Sequence, residues 1–340
     1  MRLLIVIVNY RSADLVLDCL RSLEHEVRAI GDCRVSLTDC LSPDDSVASL
    51  RSGIAELGYA DWVDFRPLAR NGGFSYGNNE GIRPYLASST APAASTEGKA
   101  RSGVPQYVLL LNPDTYIRPG ALSTLLEHMD GHPRTGIAGA RLEFPDGTPQ
   151  VSAFRFPTIA SELASGLQFG PVSRLLSDHL VPMPLRDHGF EAGWVCGAGL
   201  MIRREVIDQV GLLDDGFFMY FEEVDFCLRA HRAGWRCDYV PASRIVHLAG
   251  QSSGIVTDSA IDRRRRPPHW FESRHRYFVK NHGALYTALA DLVYATAFSL
   301  WRLRRLVTGR PDTDPERFLG DFVRHAALHL TGSKRLRAEP

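Results

Sequence analysis

Tyr107–Tyr116 reads Tyr-Val-Leu-Leu-Leu-Asn-Pro-Asp-Thr-Tyr, and this stretch decides the fold. Its first half, Tyr107–Leu111, is an unbroken apolar run, typical of a strand buried on both faces of a parallel sheet. Pro113 has no N–H for a strand ladder, so we expect the strand to end before it. Asp114 then follows the carboxyl end of a central strand, where open α/β sheets bind ligands. A carboxylate there can bind a divalent cation that carries phosphates, although Asn-Pro-Asp-Thr is also typical of a simple turn.

Strands and helices alternate in the segment before this stretch. Short apolar runs predict strands, and Ser12 and Ser46 are suitable residues to begin the helices between them. The order β-α-β-α-β predicts an α/β domain with a mostly parallel central sheet and right-handed crossovers. The predicted strands are Leu3–Val8, Cys33–Leu37 and Trp62–Phe65.

A glycine- and asparagine-rich stretch, Arg70–Gly81, follows the third predicted strand. Its four glycines and three asparagines predict tight backbone turns close to a ligand. The spacing fits neither a dinucleotide-binding fingerprint nor a P-loop. Residues 87–104 are rich in Ala, Ser, Thr, Pro and Gly, which predicts a mobile surface loop.

Composition and cysteine usage indicate an intracellular globular protein. The 340 residues are 44% hydrophobic and 23% charged, which excludes disorder throughout. The six cysteines include no Cys-x-x-Cys pair and no zinc spacing, so we expect free thiols in a reducing cytoplasm. The apolar run Leu3–Val8 is too short for a signal peptide.

The C-terminal part of the chain is basic. Residues 263–310 hold 11 Lys/Arg and 2 Asp/Glu, a net charge of +9, and begin with four arginines, Arg263–Arg266. A helix predicted from about Gly283 to Leu306 is amphipathic, with most of its leucines on one face. Asp291 would cost about 2.5–3.5 kcal/mol in mid-bilayer, which disfavours a spanning helix. Packing against the catalytic domain, a homodimer contact and an interfacial membrane contact all remain open.

Several short motifs occur in a fixed order along the chain, and together they resemble glycosyltransferase family 2, within it the bacterial rhamnosyltransferase-like branch. The resemblance covers about residues 3–280. It rests on the following motifs: Val8-Asn-Tyr10, Asp39 with Ser42 and Asp44, Asn71-Gly-Gly-Phe74, Asn78-Asn-x-Gly81, Leu111-Asn-Pro-Asp-Thr115, Trp194-x-x-Gly197-Ala198 and Phe221-Glu-Glu-Val-Asp225.

The resemblance implies a GT-A-type nucleotide-diphospho-sugar transferase fold, with a catalytic domain at 1–262 and a basic, mainly helical extension at 263–340. It also implies an inverting transfer dependent on Mg²⁺ or Mn²⁺. The expected donor is a dTDP- or UDP-sugar, with L-rhamnose from dTDP-rhamnose as the leading choice. The expected acceptor is a cell-surface or polyprenyl-diphosphate-linked glycan, which would place the enzyme in the cytoplasm at the inner face of the membrane. No nucleic-acid partner is expected.

The resemblance also implies roles for individual residues. Asn112 stands where the family's metal motif has its first acid, so a single carboxylate of that motif remains. Glu223 would be the catalytic base on the acceptor side. Helical spacing, independently of the resemblance, predicts that Asp225 is a structural partner of Arg229 one turn further along. The other implied roles are nucleoside contact for Asn9 and Asp39, donor-pocket lining for Asn71, Asn78, Asn112 and Asp114, metal binding for Asp114 and His247, and acceptor binding for Trp194 and Glu222.

Structural roles are open for several of these residues. The acids at 222, 223 and 225 also suit the first turn of a helix, where carboxylates interact favourably with the helix dipole. Trp194 also suits a core aromatic, and His247 a hydrogen-bonded structural histidine. A sugar nucleotidylyltransferase would carry a glycine-rich signature after the first strand, where this chain has Asn9–Ser12. A non-catalytic binding module on the membrane would not need Glu223, Asp114 and His247 together.

Overall fold

The computed structural model describes residues 1–86, 103–248 and 263–330, with side chains to residue 327. Its strands are β1 (Leu3–Asn9), β2 (Cys33–Asp39), β3 (Val63–Pro67), β4 (Tyr107–Leu111), β5 (Thr115–Ile117), β6 (Thr135–Glu143), β7 (Ala153–Phe154), β8 (Phe190–Ala192), β9 (Trp194–Val195), β10 (Gly199–Arg203) and β11 (Arg236–His247). Its α-helices are α1 (Ala13–Ile30), α2 (Ser46–Glu56), α3 (Gly73–Leu86), α4 (Ala121–Gly131), α5 (Ile159–Leu167), α6 (Gly170–Leu175), α7 (Arg204–Val210), α8 (Glu222–Arg232), α9 (Pro268–His282), α10 (Ala284–Thr308) and α11 (Phe318–Leu330).

Nine of the described strands form one large mixed sheet in the order β3-β2-β1-β4-β10-β6-β11-β5, with β8 also paired to β11. The first four strands are parallel, and β6 and β11 run in the same direction as they do. Only β5, β8 and β10 of this sheet oppose that direction. The α/β architecture with a mostly parallel central sheet, predicted from the sequence, is therefore confirmed.

Helices cover both faces of the sheet, which explains why the central strands lack polar alternation. Alternate residues of β1 and β4 enter two different cores: Ile5 and Leu109 pack with residues of α1 and α4. Val6 and Leu110 pack with residues of α3 and α8. Every residue of β4 is buried. The strand ends at Leu111, before Pro113, as predicted. Asp114 therefore lies at the carboxyl edge of the sheet.

The glycine-rich stretch is mostly a helix, and the prediction of successive turns was wrong there. Gly73 alone has the positive φ of a turn, at 79°. Gly77 lies within α3, and a Cβ on it would stand 2.5 Å from Cγ1 of Val8 on β1. A Cβ on Gly81 would approach Val6 equally closely. These two glycines allow close packing of the helix on the sheet.

The predicted single strand at Gly193–Ile202 is broken in two by a turn at 196–198. The first piece, β9, pairs with β7 in a separate two-stranded sheet. The second piece, β10, inserts antiparallel between β4 and β6. The predicted surface loop at 87–104 falls almost entirely outside the described residues, as does the junction at 249–262 between the two predicted domains.

The basic C-terminal segment forms α9, α10 and α11. Helix α10 packs its small and aromatic residues inward, and Gly166 of α5 approaches Ala297 closely enough that a Cβ would stand 2.8 Å away. The face that carries the leucines points to solvent. Within the run of four arginines, Arg263 forms an ion pair with Asp312, and Arg265 forms one with Asp321.

Candidate active site

Asn9 and Asp39 end the neighbouring strands β1 and β2 and are paired in register. Asn9 Nδ2 donates to Asp39 Oδ2 at 2.7 Å, and the Ser42 hydroxyl donates to the same oxygen at 2.6 Å. The backbone N–H of Ser42 donates to Asp39 Oδ1. Both side chains are fully buried. They stand at the carboxyl edge of the sheet, and their hydrogen bonds shape the loop after β2.

The turn Asn71–Phe74 leads into α3 and is fixed by two contacts. The N–H of Gly73 donates to Asn71 Oδ1, and the N–H of Phe74 donates to the carbonyl of Phe218 at 2.7 Å. A Cβ on Gly73 would lie 2.0 Å from that carbonyl oxygen, so no other residue fits. Asn78 is buried in the helix and donates to the Phe74 carbonyl. Asn71 therefore shapes the turn, and Asn78 supports it from within the helix.

Asp114 and His247 face each other across the sheet edge, with Asp114 Oδ1 3.6 Å from His247 Nε2. Gln150 fixes the ring: its Nε2 donates to the His247 carbonyl at 2.6 Å, which turns Oε1 toward Nδ1 at 3.2 Å. Because Oε1 can only accept, Nδ1 carries the proton and Nε2 keeps its lone pair. The Asn112 amide lies 3.4 Å from Nε2. Burial lowers the pKa of His247, against the opposing charge of Asp114.

The Asp114–His247 pair fits a divalent cation. Adjacent ligands at about 2.0–2.1 Å from one octahedral Mg²⁺ lie about 2.9 Å apart. Asp114 Oδ1 and His247 Nε2, 3.6 Å apart, would therefore move slightly closer together to bind the same ion. A neutral imidazole with a hydrogen-bonded Nδ1–H is the form that binds metals. No group of three or more His, Cys, Asp or Glu side chains suited to a metal occurs within the described ranges. The remaining ligands would therefore come from substrate phosphates and water, as is usual for Mg²⁺.

A pair of carboxylic acids begins α8. Glu222 is buried and Glu223 half-buried, and one oxygen of each, Oε2, finds no hydrogen-bond partner among the described residues. Burial raises the pKa of Glu223 to about 7, opposed by nearby backbone N–H groups that include Gly197. Burial and the adjacent charge of Glu223 raise the pKa of Glu222 well above its usual range. Such unpartnered, perturbed acids are typical of functional sites.

The turn at 196–198 brings the separate motifs together. A Cβ on Gly197 would lie 3.5 Å from the Phe74 ring and 4.0 Å from Cβ of Glu223. The N–H of Asn112 points at the Ala198 carbonyl, 3.4 Å away. Burial raises the pKa of the Cys196 thiol to about 12, helped by the negative charges of Glu223, Asp114 and Glu222. The glycine-rich turn, the end of β4 and the acid pair therefore surround one small turn.

Asp225 and Trp194 have structural partners. Asp225 is fully buried and accepts from Arg229 Nε at 2.9 Å, as predicted, and from Lys280 and Asn281 on α9. The Trp194 ring stacks on Phe154 at 4.1 Å, and its indole N–H donates to the Arg155 carbonyl. One face of Trp194 is therefore covered by protein.

Sequence reasoning missed three contributors to this site. Gly197 was visible in a motif but was given no role. Gln150 follows a surface turn and carries no pattern that separates it from other polar residues. Tyr220 and Phe221 both adopt positive φ, at 71° and 65°, immediately before the acid pair. Non-glycine residues in this conformation are uncommon and cluster at functional sites.

Comparison with known proteins agrees with this geometry. The sequence profile of a family described as "Glycosyl transferase family group 2" matches residues 107–310. An N-acetylglucosaminyl-diphospho-decaprenol L-rhamnosyltransferase of Mycobacterium tuberculosis is 31% identical over 160 residues, 44% of this chain and 50% of the relative. Rhamnosyltransferase WbbL of Escherichia coli is 26% identical over 180 residues, 52% of this chain and 61% of the relative. The chain thus spans about half the length of the curated relatives it matches.

Two solved structures resemble the whole chain. The mannosyltransferase PcManGT from Pyrobaculum calidifontis, in complex with GDP-Man and Mn²⁺, has a TM-score of 0.53 at 13% identity and covers 98% of this chain and 79% of that one. Residues 1–349 of S. aureus TarS give a TM-score of 0.50 at 14% identity, covering 98% and 83%. These likenesses show the GT-A fold, and the profile match shows the family. The chain belongs to glycosyl transferase family group 2.

Proposed function

We propose that this protein is an inverting glycosyltransferase that moves L-rhamnose from dTDP-rhamnose onto a polyprenyl-diphosphate-linked glycan. The observation that carries the proposal is the convergence of the acid pair, the end of β4 and the glycine-rich turn on Gly197. In this proposal Glu223 would be the base, and Asp114 and His247 would hold the cation. The sugar and the acceptor are carried by similarity to the rhamnosyltransferases of M. tuberculosis and E. coli.

Asp114 and His247 would hold Mg²⁺ or Mn²⁺ together with the donor diphosphate. A bound cation supplies Lewis-acid charge that stabilises the departing nucleoside diphosphate. The chain's own part is orientation: Gln150 keeps the imidazole in the tautomer whose Nε2 faces Asp114. Asn9 and Asp39, through the loop they shape, would form the nucleoside end of the donor site. Asn71 and Asn78 would shape its wall.

Glu223 would accept the proton of the acceptor hydroxyl during attack on the sugar. A base with a pKa near 7 is ionised often enough at neutral pH and is still basic enough to take a proton. Glu222, with its higher pKa, would remain protonated and donate a hydrogen bond to the acceptor. Trp194 would bind the acceptor sugar through the part of its ring that Phe154 does not cover.

The proposal is tested by measuring release of nucleoside diphosphate from a set of nucleotide sugars, with and without a polyprenyl-diphosphate-linked acceptor. We expect acceptor-dependent release of dTDP from dTDP-rhamnose, dependent on Mg²⁺ or Mn²⁺ and abolished by a chelator. If transfer occurs only from another nucleotide sugar, that compound replaces dTDP-rhamnose as the donor. No acceptor-dependent release from any nucleotide sugar, by a protein that still binds nucleotide, would refute the glycosyltransferase assignment.

A further inference from the structure

Helix α10 presents an apolar face to solvent. Its 25 residues are long and apolar enough to cross a membrane by length and composition alone, although that is weak evidence by itself. The most exposed of its large apolar side chains are Leu285, Val307 and Leu306, at 87%, 80% and 74%. The full set of exposed large apolar residues on α10 is Leu285, Leu289, Leu292, Leu300, Leu303, Leu306 and Val307. We call this set the leucine face.

The leucine face follows one side of α10. At about 100° per residue its members fall within an arc of about 120°, and the exposed Thr296 and Ser299 lie within that arc between Leu292 and Leu300. No exposed residue of α10 carries a carboxylate. Large exposed apolar patches rimmed by polar residues mark interaction sites.

Basic residues flank the stripe. Arg302 and Arg304 project on opposite sides of the arc, and Arg304 also covers the ring of Phe169 at 4.5 Å. Arg310 is exposed just beyond the end of the helix. Long arginine side chains can place their stems along apolar surface and their charges at lipid headgroups. An apolar stripe bordered by arginine matches the surface of an anionic bilayer.

The opposite face of α10 binds the helix to the protein, which argues against a spanning orientation. Ala290, Ala297, Phe298 and Trp301 are buried there. Asp291 pairs with the buried Arg274 of α9, so the charge that disfavours membrane insertion does not lie on the leucine face. A helix that crossed a bilayer would lose these contacts. The geometry fits a helix that lies on the membrane with one side still packed.

We propose that the leucine face, with Arg302 and Arg304, is the surface by which this protein lies on an anionic lipid membrane. One hydrophobic cluster joins this helix to the acid pair, since Ala290 of α10, Tyr277 of α9 and Val224 of α8 pack together. The proposed site is therefore connected to the docked helix through α9, which suits an acceptor held in the bilayer. Only the statement about the acceptor rests on the proposed function.

The test is flotation of the full chain with vesicles of phosphatidylcholine and phosphatidylglycerol, without donor or acceptor. We expect binding at low salt that weakens at high salt, because screening removes the arginine contribution. The triple variant Leu292→Ser/Leu300→Ser/Leu303→Ser should lose at least tenfold in vesicle affinity. Leu185→Ser removes an exposed leucine elsewhere and should bind as the parent does. Unchanged melting temperatures show that both variants are folded.

A fluorescent probe gives a second readout, which does not rely on a variant that loses vesicle binding. A polarity-sensitive dye on Leu300→Cys should shift to shorter wavelength with anionic vesicles, and the same dye on Leu185→Cys should not. No vesicle binding at low salt, or equal binding by the triple variant, would overturn the proposal. So would a dimer in light scattering that the triple variant dissociates, which would assign the face to a second copy. Retention in membranes after alkaline carbonate extraction would instead indicate a spanning helix and also overturn it.

Discussion

His247 Nε2 lies 3.6 Å from Asp114 Oδ1, and the two residues are held there by separate backbone connections. Thr115, the first residue of β5, pairs in register with His247, the last residue of β11. The N–H of Leu248 also donates to the Asp114 carbonyl. The pair is therefore built into the sheet, which is the kind of support that a precise ligand site needs.

The first prediction concerns cation-dependent nucleotide binding. Asp114→Asn and His247→Ala should each weaken dTDP binding in the presence of Mn²⁺ by tenfold or more, because each removes a proposed ligand. Gln150→Ala should cost about 10–100-fold, the usual range for a residue that orients a metal-binding histidine. Isothermal titration calorimetry with and without Mn²⁺ measures both effects.

Asp208→Asn is the control for this series, since Asp208 forms an exposed ion pair with Arg204 away from the site. It should bind dTDP as the parent protein does. Metal-dependent affinity that is unchanged in both Asp114→Asn and His247→Ala would exclude the proposed cation site.

The second prediction concerns the base. Glu223→Gln should bind donor normally and lose about 10²–10⁴-fold in turnover, the usual effect of removing a general base. In the parent protein, turnover should rise with pH through an apparent pKa near 7, because only ionised Glu223 can accept a proton. Steady-state rates from pH 5.5 to 8.5 measure both.

Glu191→Gln serves as the matched control, because Glu191 is an exposed carboxylate paired with Arg236. It should leave the rate and its pH dependence unchanged. If Glu223→Gln turns over near the parental rate while Asp225→Asn binds donor but is inactive, the base has been assigned to the wrong carboxylate.

The sequence predicted β1 and β4 because their residues are apolar without alternation, a pattern that depends only on burial on both faces. It predicted β2 and β3 from shorter apolar runs that include polar residues such as Arg34 and Asp64. It also predicted that Asp114 follows β4, since Pro113 cannot continue a strand. The partnership of Asp225 with Arg229 followed from helical spacing alone. Each of these features is local, so it could be deduced from neighbouring residues.

Features that depend on distant contacts could not be deduced in this way. Nothing between Gly193 and Ile202 indicates that Cys196–Ala198 is a turn enclosed by three other segments. In α10 the periodicity predicted an apolar stripe but not whether it faces the protein or the solvent. The inward face holds small and aromatic residues, and a small residue is required at Ala297 because Gly166 on α5 comes very close to it. Fit to the neighbouring helices therefore contributed to the choice of the buried face, and the periodicity carries no information about it.

The third prediction is a pH-dependent gain of stability in Glu222→Gln. The pKa of Glu222 is raised in the folded protein, so the folded state retains a proton that the unfolded state releases above about pH 4.5. The stabilisation due to this proton is fully present below about pH 4.5. It is lost as the pH rises toward the pKa of Glu222 in the folded protein. Gln does not ionise, so it avoids the loss of stability that deprotonation of the buried Glu222 causes. The variant should therefore match the parent near pH 4 and melt at a higher temperature at pH 7–8.

Thermal melts of parent and variant from pH 4 to 8 test this prediction, with Glu191→Gln as an exposed control that should follow the parent throughout. A constant offset at every pH would mean that the substitution acts through packing. A loss of stability at pH 8 would mean that Glu222 is ionised and paired, against the high pKa inferred from its burial.

The fourth prediction separates the structural acid from the acid pair. Asp225→Asn should destabilise the protein by about 3 kcal/mol, because it leaves the charges of Arg229 and Lys280 without their buried partner. Donor affinity at a temperature where the variant is folded should stay near the parental value, since Asp225 points away from Gly197 toward α9. Urea unfolding and nucleotide titration on the same sample measure the two quantities.

Asp208→Asn is a close control, because Asp208 and Arg204 form an ion pair with the same four-residue spacing on α7 but with the carboxylate about half exposed. Exposed pairs of this kind contribute about 0.2–1 kcal/mol, so the control should change little. The two pairs share residue types and spacing, so the contrast measures what burial and the added partners on α9 contribute to the Asp225 pair. Equal small effects in the two variants would show that Lys280 and Arg229 find other partners when Asp225 is neutralised. Then the link between α8 and α9 would rest on the apolar contacts of Val224, Tyr277 and Phe278 instead.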